Sequence, residues 1–348
     1  MHRLTKGTLL GRVHDFLKIY LPKQRRVSHN TIRAYRKVLE QLFEFIKDSK
    51  GVPLIDITFG MISAETVAAY LEYIEETRGC CISTRNQRFA AVKSFINYVA
   101  MMDITVAACI KELEKVPMKK QNEVICIKYM SEAAISAIIA EPDITKKNGV
   151  RNRCILVLMY DTGARVQEIA DIKIKDFRWG KTPTVTLHGK GGKERTVPLM
   201  DRTIEHMRQY LSLAHHNLQN GDLPLFYSNS RGQMQPLSDR RIRDIVKEYG
   251  CAAKLKCTDV PDKVHPHLFR HSRAMHLYQH GMDLTLVSQW LGHKNLETTL
   301  VYAHADTEHK RKAIETATSS SNPLAKKISS PRFTVNDEET LKRLAGLI

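Results

Sequence analysis

The residues best suited to chemistry lie between His265 and Tyr302. His267 and Arg270 are three positions apart in HPHLFRHSRA, so on a helix they share a face and can converge on one small anion. His293 follows in LGHKN, just after a glycine that favours a helix end. Two histidines, an arginine and a tyrosine, with no carboxylate among them, indicate nucleophilic attack on a phosphodiester.

The elements that must position these side chains are helical. Leu284, Val287 and Leu291 recur at the three- and four-residue steps of one buried helix face. With the segment before them and the segment around Tyr302, they predict three successive helices. His293 is then expected immediately beyond the second helix.

A second arginine occupies an unusual electrostatic position. In DTGARVQEIADI, Thr162 and Gly163 interrupt a helical period, and Arg165 begins the next helix. The amino terminus of a helix already carries a partial positive charge. An arginine at that end therefore indicates that an anion is expected nearby.

A basic turn lies between these two regions. The segment VTLHGKGGKERTVPL, residues 185–199, predicts a β-hairpin with its glycines in the turn. Lys190 lies within that turn, as an ammonium group on a mobile support. A nucleotide phosphate-binding loop is an alternative, but the pattern has neither the spacing nor the following helix of such a loop.

These motifs closely resemble the signature of the tyrosine recombinase, or phage integrase, family. The matching patterns are T-G-x-R-x-x-E, G-K-G-x-K-x-R, H-x-x-R-H and L-G-H, followed by a tyrosine. The match covers about residues 130–310; over the amino-terminal half it rests on size, helicity and charge. The resemblance implies the catalytic residues Arg165, Lys190, His267, Arg270, His293 and Tyr302.

In the chemistry that the resemblance implies, Tyr302 attacks the scissile phosphate and forms a 3′-phosphotyrosyl intermediate. Strands are then exchanged through a Holliday junction, without metal, cofactor or ATP. Guanidiniums at Arg165 and Arg270 would offset the charge of the transition state. His293 would hydrogen-bond the same phosphate.

Two further groups would move protons. His267 is the group best suited to transfer the tyrosine proton, because imidazole titrates close to neutral pH. Lys190 is predicted to protonate the leaving deoxyribose oxygen.

Three alternatives remain open. Type IB topoisomerases use a similar set of residues and relax DNA, and a non-catalytic DNA-binding protein could share the fold. A zinc or nickel site is the third, because His267 with His271 and His276 with His280 have chelating spacing. A third ligand is lacking, so we expect His271 to pack or hydrogen-bond internally.

Charge favours a nucleic-acid partner. Lys and Arg total 54 against 37 Asp and Glu, a formal net charge of +17, and such an excess suits a polyanion, here double-stranded DNA. No long apolar run predicts a membrane span, and the first residues lack the apolar core of a signal peptide. The 7 cysteines are scattered and odd in number, which argues against a disulfide framework or a zinc site. The expected location is cytoplasmic and nucleoid-associated.

The predicted fold class is mainly α with a small β-sheet. An amino-terminal helical bundle, a SAM-like core-binding domain, would precede an α+β catalytic domain. The expected boundaries are residues 1–114 for the bundle, 115–128 for a linker, 129–310 for the catalytic domain and 311–348 for a tail with a short helix.

Basic side chains outside the motifs are predicted to contact DNA phosphates. In the bundle these are Arg25, Arg26, Arg85, Arg88 and Lys93, and in the catalytic domain they are Arg240, Arg241 and Arg243. The tail helix would dock on its own domain or on a neighbouring protomer. The resemblance implies that the protein assembles into a tetramer on DNA.

Overall fold

The computed structural model describes residues 8–120, 128–189, 192–215, 220–230, 232–293, 295–305, 311, 314 and 337–347. The chain divides into two compact units, one before and one after residue 124. The fold class is confirmed: both units are mainly helical, and the second also carries small sheets.

The amino-terminal unit is a bundle of helices. Its helices are α1 (Leu9–Asp15), a π-helical segment (Phe16–Gln24), α2 (His29–Lys50), α3 (Ala64–Glu76), α4 (Ile82–Ala100) and α5 (Ala107–Glu114), with short 3-10 turns between them. Ser28 caps α2 by accepting a hydrogen bond from the Thr31 N–H, and Ser63 caps α3 by accepting one from the Thr66 N–H. Apolar faces of these helices form one core.

The second unit contains the remaining helices and both sheets. Its helices are α6 (Glu132–Ala140), α7 (Lys147–Thr162), α8 (Val166–Asp171), α9 (Asp201–Ala214), α10 (Asp239–Lys254), α11 (Pro266–Gln279), α12 (Leu284–Leu291), α13 (Glu297–Ala305) and α14 (Glu338–Leu344). Its strands are β1 (Phe177–Arg178), β2 (Thr184–His188), β3 (Glu194–Pro198), β4 (Tyr227–Ser230) and β5 (Gln233–Pro236). The three helices predicted around His265 to Tyr302 are present as α11, α12 and α13.

The predicted β-hairpin is confirmed as β2 and β3. The two strands pair antiparallel with Val185 opposite Val197, and both of these side chains are buried. The Gly189 N–H donates to the Lys193 carbonyl at 2.6 Å, which closes the turn. Lys190 lies outside the described residues. A second hairpin, β4 with β5, was not predicted.

Helix α7 forms the centre of this unit. Ile155, Leu156, Leu158 and Met159 are fully buried, and α9 and α11 pack against the helix. Gly163 ends α7 in the left-handed conformation at φ 58°, where an added Cβ would lie 2.9 Å from the Leu291 side chain.

A buried ion pair joins the end of α7 to α11. Asp161 accepts from the Arg273 guanidinium at 3.1 Å and from the Met200 backbone N–H at 3.0 Å. Because Asp161 is buried, this pair fixes the position of α11, the helix that carries His267 and Arg270.

The predicted tail helix is present as α14. Leu341, Leu344 and Leu347 are exposed, and Ile348 lies outside the described residues. No helix in the described part of the chain combines the length and apolar character needed to cross a bilayer. The predicted boundaries of the linker and the tail stay predictions.

Candidate active site

An open cavity of about 600 Å³ brings together most of the predicted catalytic residues. Arg165, His267, Arg270, His293 and Tyr302 all line it. These residues come from α8, α11, the end of α12 and α13, which are distant in the sequence. Lys190, the remaining predicted residue, cannot be placed because it lies outside the described residues.

Arg165 is the N-cap residue of α8 and is held there by a glutamate. The Glu168 carboxylate accepts the Arg165 backbone N–H at 2.8 Å and the Arg165 Nη1 at 2.9 Å. This carboxylate offsets the unfavourable placement of a cation at a helix amino terminus. The Arg165 side chain remains 38% exposed, so its other donors are accessible to an anion.

Glu168 also receives both nitrogens of a further arginine. Arg195 on β3 donates from Nη1 and Nη2 to the two carboxylate oxygens, at 2.8 Å each, in a bidentate pair. Burial alone would raise the pKa of Glu168, but the hydrogen bonds and charges of Arg195 and Arg165 outweigh it and hold the pKa below its ordinary value. Glu168 is therefore ionised at neutral pH.

Arg270 is buried and ties two helix ends together. Its Nη1 donates to the Gly163 carbonyl at 2.7 Å, and its Nη2 donates to the Leu291 carbonyl at 2.6 Å. These carbonyls lie at the carboxyl ends of α7 and α12, where backbone acceptors lack intrahelical partners. Burial, with Arg165 and Arg195 nearby, lowers the pKa of Arg270 to about 9, so the side chain remains a cation at neutral pH.

Arg195 reinforces the end of α12. Its Nε donates to the Trp290 carbonyl at 2.9 Å, next to the Leu291 carbonyl that Arg270 caps. Gly292 follows in the left-handed conformation at φ 64°, and an added Cβ there would lie 3.0 Å from Arg195 Cδ. Glycine thus allows the chain to turn sharply and to present His293 at the cavity.

His293 is a neutral imidazole at this position. Its Nδ1 shares a hydrogen bond of 2.8 Å with the hydroxyl of Thr299, which is buried. Burial and the charges of Arg270 and Arg165 lower the pKa of His293 to about 4. A neutral imidazole offers one N–H donor, which suits a hydrogen bond to a phosphate.

Tyr302 is almost fully buried, with 1% of its surface exposed. Its hydroxyl shares a hydrogen bond of 2.9 Å with Nδ1 of His271. Burial raises the pKa of Tyr302, although the charge of Arg270 opposes the shift. The expectation that His271 hydrogen-bonds internally is therefore confirmed.

His267 lies one helical turn before His271 and is more exposed. Partial burial of its ring and the charge of Arg270 lower the pKa of His267. His276, which was also weighed as a metal ligand, shares a hydrogen bond of 2.8 Å with the Tyr160 hydroxyl. Among the described residues, no three His, Cys, Asp or Glu side chains are grouped to hold a metal ion.

The sequence analysis assigned no role in this site to three of its residues: Glu168, Arg195 and His271. Glu168 and Arg195 end the motifs T-G-x-R-x-x-E and G-K-G-x-K-x-R, so the signal for both was present. His271 is the last residue of H-x-x-R-H. Its contact with Tyr302 depends on how α13 packs against α11, which the motif does not reveal.

One predicted DNA contact needs correction. Arg85 was predicted to contact a DNA phosphate, but only 4% of its surface is exposed. Its Nη1 donates to the Pro117 carbonyl at 2.8 Å, and its Nε lies 3.7 Å from the Glu75 carboxylate. Arg85 precedes Phe89 by four residues and so lies on the same apolar face of α4. It stabilises the amino-terminal unit from inside.

The other residues of that unit that were predicted to contact DNA are more accessible than Arg85. Arg25 and Lys93 line a cavity of about 420 Å³ together, Arg26 is exposed and Arg88 is half-buried. In the second unit, Arg240, Arg241 and Arg243 are all exposed on α10. Arg243 pairs with Asp239 at 2.8 Å. Arg241 lies beside Arg151 around a cavity of about 860 Å³.

Fold and site together define a class of protein. Two anchored arginines, a neutral histidine and a buried phenol around one cavity are suited to bind a phosphate anion next to a nucleophilic hydroxyl. Residues 128–309 match the model of the phage integrase family, and residues 14–101 match its N-terminal SAM-like domain. The chain belongs to this family, whose enzymes are the tyrosine recombinases.

Sequence similarity to two relatives extends over most of the chain. The chain is 31% identical over 313 residues to the tyrosine recombinase XerD of Staphylococcus epidermidis, covering 88% of this chain and 97% of the relative. It is 29% identical over 321 residues to the tyrosine recombinase XerC of Thermodesulfovibrio yellowstonii, covering 90% and 97%.

Two solved structures share the fold. The XerH site-specific recombinase bound to a palindromic difH substrate has a TM-score of 0.62 at 23% identity and covers 86% of this chain and 83% of its own. The Tn1549 transposon integrase in complex with transposon right end DNA has a TM-score of 0.60 at 16% identity and covers 88% and 99%.

Proposed function

We propose that the protein is a site-specific DNA recombinase in which Tyr302 attacks the scissile phosphate. The observation that carries this proposal is that Tyr302 lines one cavity with Arg165, Arg270 and His293. The nucleophile and the groups that would bind its target thus belong to the same chain.

Electrostatics support the choice of a phosphate. Phosphodiester cleavage passes through a transition state that gathers negative charge on the non-bridging oxygens, and cations held in place stabilise it most strongly. Arg270 is held by two carbonyls, and Arg165 by Glu168, so neither needs to reorganise when a phosphate arrives. His293, uncharged at neutral pH, adds a hydrogen-bond donor.

The proposed reaction forms a bond between Tyr302 Oη and phosphorus and breaks the bond to the 5′ oxygen. The product is a 3′-phosphotyrosyl linkage and a free 5′-hydroxyl. Because the linkage retains the energy of the phosphodiester, a 5′-hydroxyl from a partner strand reseals it without ATP. Lys190, which lies between β2 and β3 in the sequence, is the proposed acid for the leaving oxygen.

Double-stranded DNA is the proposed partner. The XerH and Tn1549 structures of similar fold are DNA complexes, and this chain has a formal net charge of +17. We further propose a tetramer on two duplexes, with strands exchanged through a Holliday junction. The exposed leucines of α14 are the proposed contact between protomers.

A covalent adduct is the direct test. Nicked duplexes taken from the flanks of the gene are incubated with protein in EDTA without ATP and run on a denaturing gel. Wild type is expected to form a protein–DNA adduct, and Tyr302→Phe is expected to form none while still binding DNA, because only one oxygen is removed.

Tyr129→Phe is the matched control, since it removes the same atom from a tyrosine that is 40% exposed. It is expected to retain the adduct. An adduct that persists in Tyr302→Phe would refute Tyr302 as the nucleophile. Absence of an adduct in wild type on every flank and on pooled genomic fragments would count against the proposed function itself.

A further inference from the structure

The hydroxyl of Tyr302 already has a partner, and that partner is not the histidine predicted from the motif. Among the cavity histidines in the described part of the chain, His271 is the one that hydrogen-bonds Tyr302, at 2.9 Å between Nδ1 and Oη. His267 was expected to handle this proton. Its ring centre lies 6.5 Å from that of His271.

Helix geometry explains the division between these two histidines. They are four residues apart on α11 and therefore stack along one face of the helix. His267 lies toward solvent at the cavity edge, whereas His271 is half-buried and faces α13, which carries Tyr302. The deeper imidazole reaches the phenol, whereas the outer one is exposed to solvent.

The surroundings of His271 keep its ring uncharged. The titratable and charged groups around it are His265 at the N-cap of α11, His267 and Arg270 on α11, His293 after α12, and Tyr302 on α13. Burial, His267 and Arg270 lower the pKa of His271. A neutral imidazole with its hydrogen on Nε2 has a free lone pair on Nδ1, the atom that contacts the phenol.

We infer that His271 is the catalytic residue that takes the proton of Tyr302 as its oxygen attacks the phosphate. This inference rests on the function proposed above. The O–H bond of Tyr302 breaks and its proton moves to Nδ1 of His271, while the Oη–P bond forms and the P–O5′ bond breaks. The leaving 5′ oxygen takes its proton from a separate acid.

Resealing reverses these steps. The attacking 5′-hydroxyl gives its proton back to the conjugate base of the separate acid as the O5′–P bond forms. The phosphotyrosyl bond breaks, and the imidazolium of His271 returns its proton to Oη. The imidazolium lies beside the anionic phosphate in the transition state, so its charge is favourable there. A basic group already hydrogen-bonded to the nucleophile meets the geometric requirement for general base catalysis.

The experiment compares two leaving groups at the scissile position, which is first mapped from the wild-type adduct. One duplex carries the normal 5′ oxygen and the other a 5′-bridging sulfur, which departs without protonation. His271→Asn places an amide oxygen near the Nδ1 position, so it keeps a hydrogen-bond acceptor but cannot take up a proton. His267→Asn is the matched control one turn away.

His271→Asn is expected to slow adduct formation by about 10²- to 10⁴-fold, the usual contribution of a general base, on both duplexes. Lys190→Ala is expected to be slow on the oxygen duplex and restored by sulfur. His267→Asn is expected to lose less than His271→Asn. Wild-type rates should also fall as pH decreases through the pKa of His271, and His271→Asn should lack this dependence.

A second variant keeps the test decisive if His271→Asn folds poorly. His271→Ala leaves a space, and added imidazole is expected to restore adduct formation with the pH dependence of free imidazole. A structural role would not produce such rescue.

Wild-type rates in His271→Asn, a defect that sulfur relieves, or a larger loss in His267→Asn would each overturn the inference. None of these results affects the proposed function, which depends on the wild-type adduct and its loss in Tyr302→Phe.

Discussion

The two units of this chain use positive charge in opposite ways. In the catalytic unit, hydrogen bonds to carboxylate or carbonyl oxygens hold the guanidinium groups of Arg165, Arg195 and Arg270 in place. The Glu168 carboxylate accepts from both Arg165 and Arg195. In the amino-terminal unit, Arg25 and Arg26 are exposed on the surface. The first arrangement is suited to a single phosphate in one geometry, whereas the second is suited to a backbone whose position tolerates adjustment.

Substitution of Arg270 is expected to have the largest effect, because it removes an arginine that is held in place within the catalytic unit. Arg270→Ala removes a cation from the cavity and leaves the Gly163 and Leu291 carbonyls without their donor. We expect adduct formation to fall by about 10³-fold, the upper range for losing one preorganised donor, with a much smaller change in DNA affinity. Single-turnover adduct assays and gel-shift titrations measure the two effects.

Arg270→Lys makes the test sharper. It keeps the charge, but a single ammonium lacks the planar fork that reaches both carbonyls. If the lysine variant matched wild type, charge alone would be sufficient, and the capping of α7 and α12 would have no role in positioning.

Glu168 gives the next largest effect, and the effect is on stability. Glu168→Gln removes a buried carboxylate from between Arg165 and Arg195. We expect unfolding at pH 7 to become easier by about 3 kcal/mol, the lower end for breaking a buried pair, because Arg165 is 38% exposed and can find water. Denaturant titration measures this change, and the exposed Glu248→Gln is the control.

The contribution of Glu168 to stability depends on pH, because the pKa of its carboxyl group is lowered in the folded protein. The pKa of Glu168 in the folded protein lies below its ordinary value of 4.5, so its contribution is complete above that value and is lost as pH falls through the folded pKa. The wild-type advantage over Glu168→Gln should therefore shrink in acid. An advantage that grew in acid would contradict the assigned ion pair.

Local signals account for the part of the structure that was predictable. Ser28, Ser63, Gly163 and Gly292 begin or end helices through their own side chain or backbone, so each could be recognised without knowing the fold. The hairpin β2–β3 follows likewise from alternating residues around glycines. The catalytic residues were identified by motif resemblance rather than from contacts.

The interactions that sequence reasoning missed join residues far apart in the chain. Arg195 binds the Trp290 carbonyl across 95 positions and His271 binds Tyr302 across 31, and no local pattern encodes such pairs. Arg85 is different, because its spacing from Phe89 and Val92 matches the apolar face of α4. The structure follows this periodicity, since Arg85 is buried with the apolar side chains of that face.

The smallest expected effects come from substitutions in the amino-terminal unit, where buried Arg85 can be compared with exposed Arg25. Arg85→Ala leaves the Pro117 carbonyl without its donor and Glu75 without one of its two cations. We expect it to lower stability by about 1–3 kcal/mol while the salt dependence of DNA binding stays the same. Arg25→Ala is expected to leave stability unchanged and to weaken binding to all sequences.

Removing one side chain that binds a phosphate should reduce the slope of log affinity against log salt by about one, so Arg25→Ala with Lys93→Ala should reduce it by about two. Binding titrations over a range of salt, paired with thermal unfolding, measure both quantities on the same proteins. If Arg85→Ala lowered the salt slope and Arg25→Ala did not, the buried arginine would be reaching DNA. In the amino-terminal unit, burial of an arginine would then not separate a structural role from a role in DNA binding.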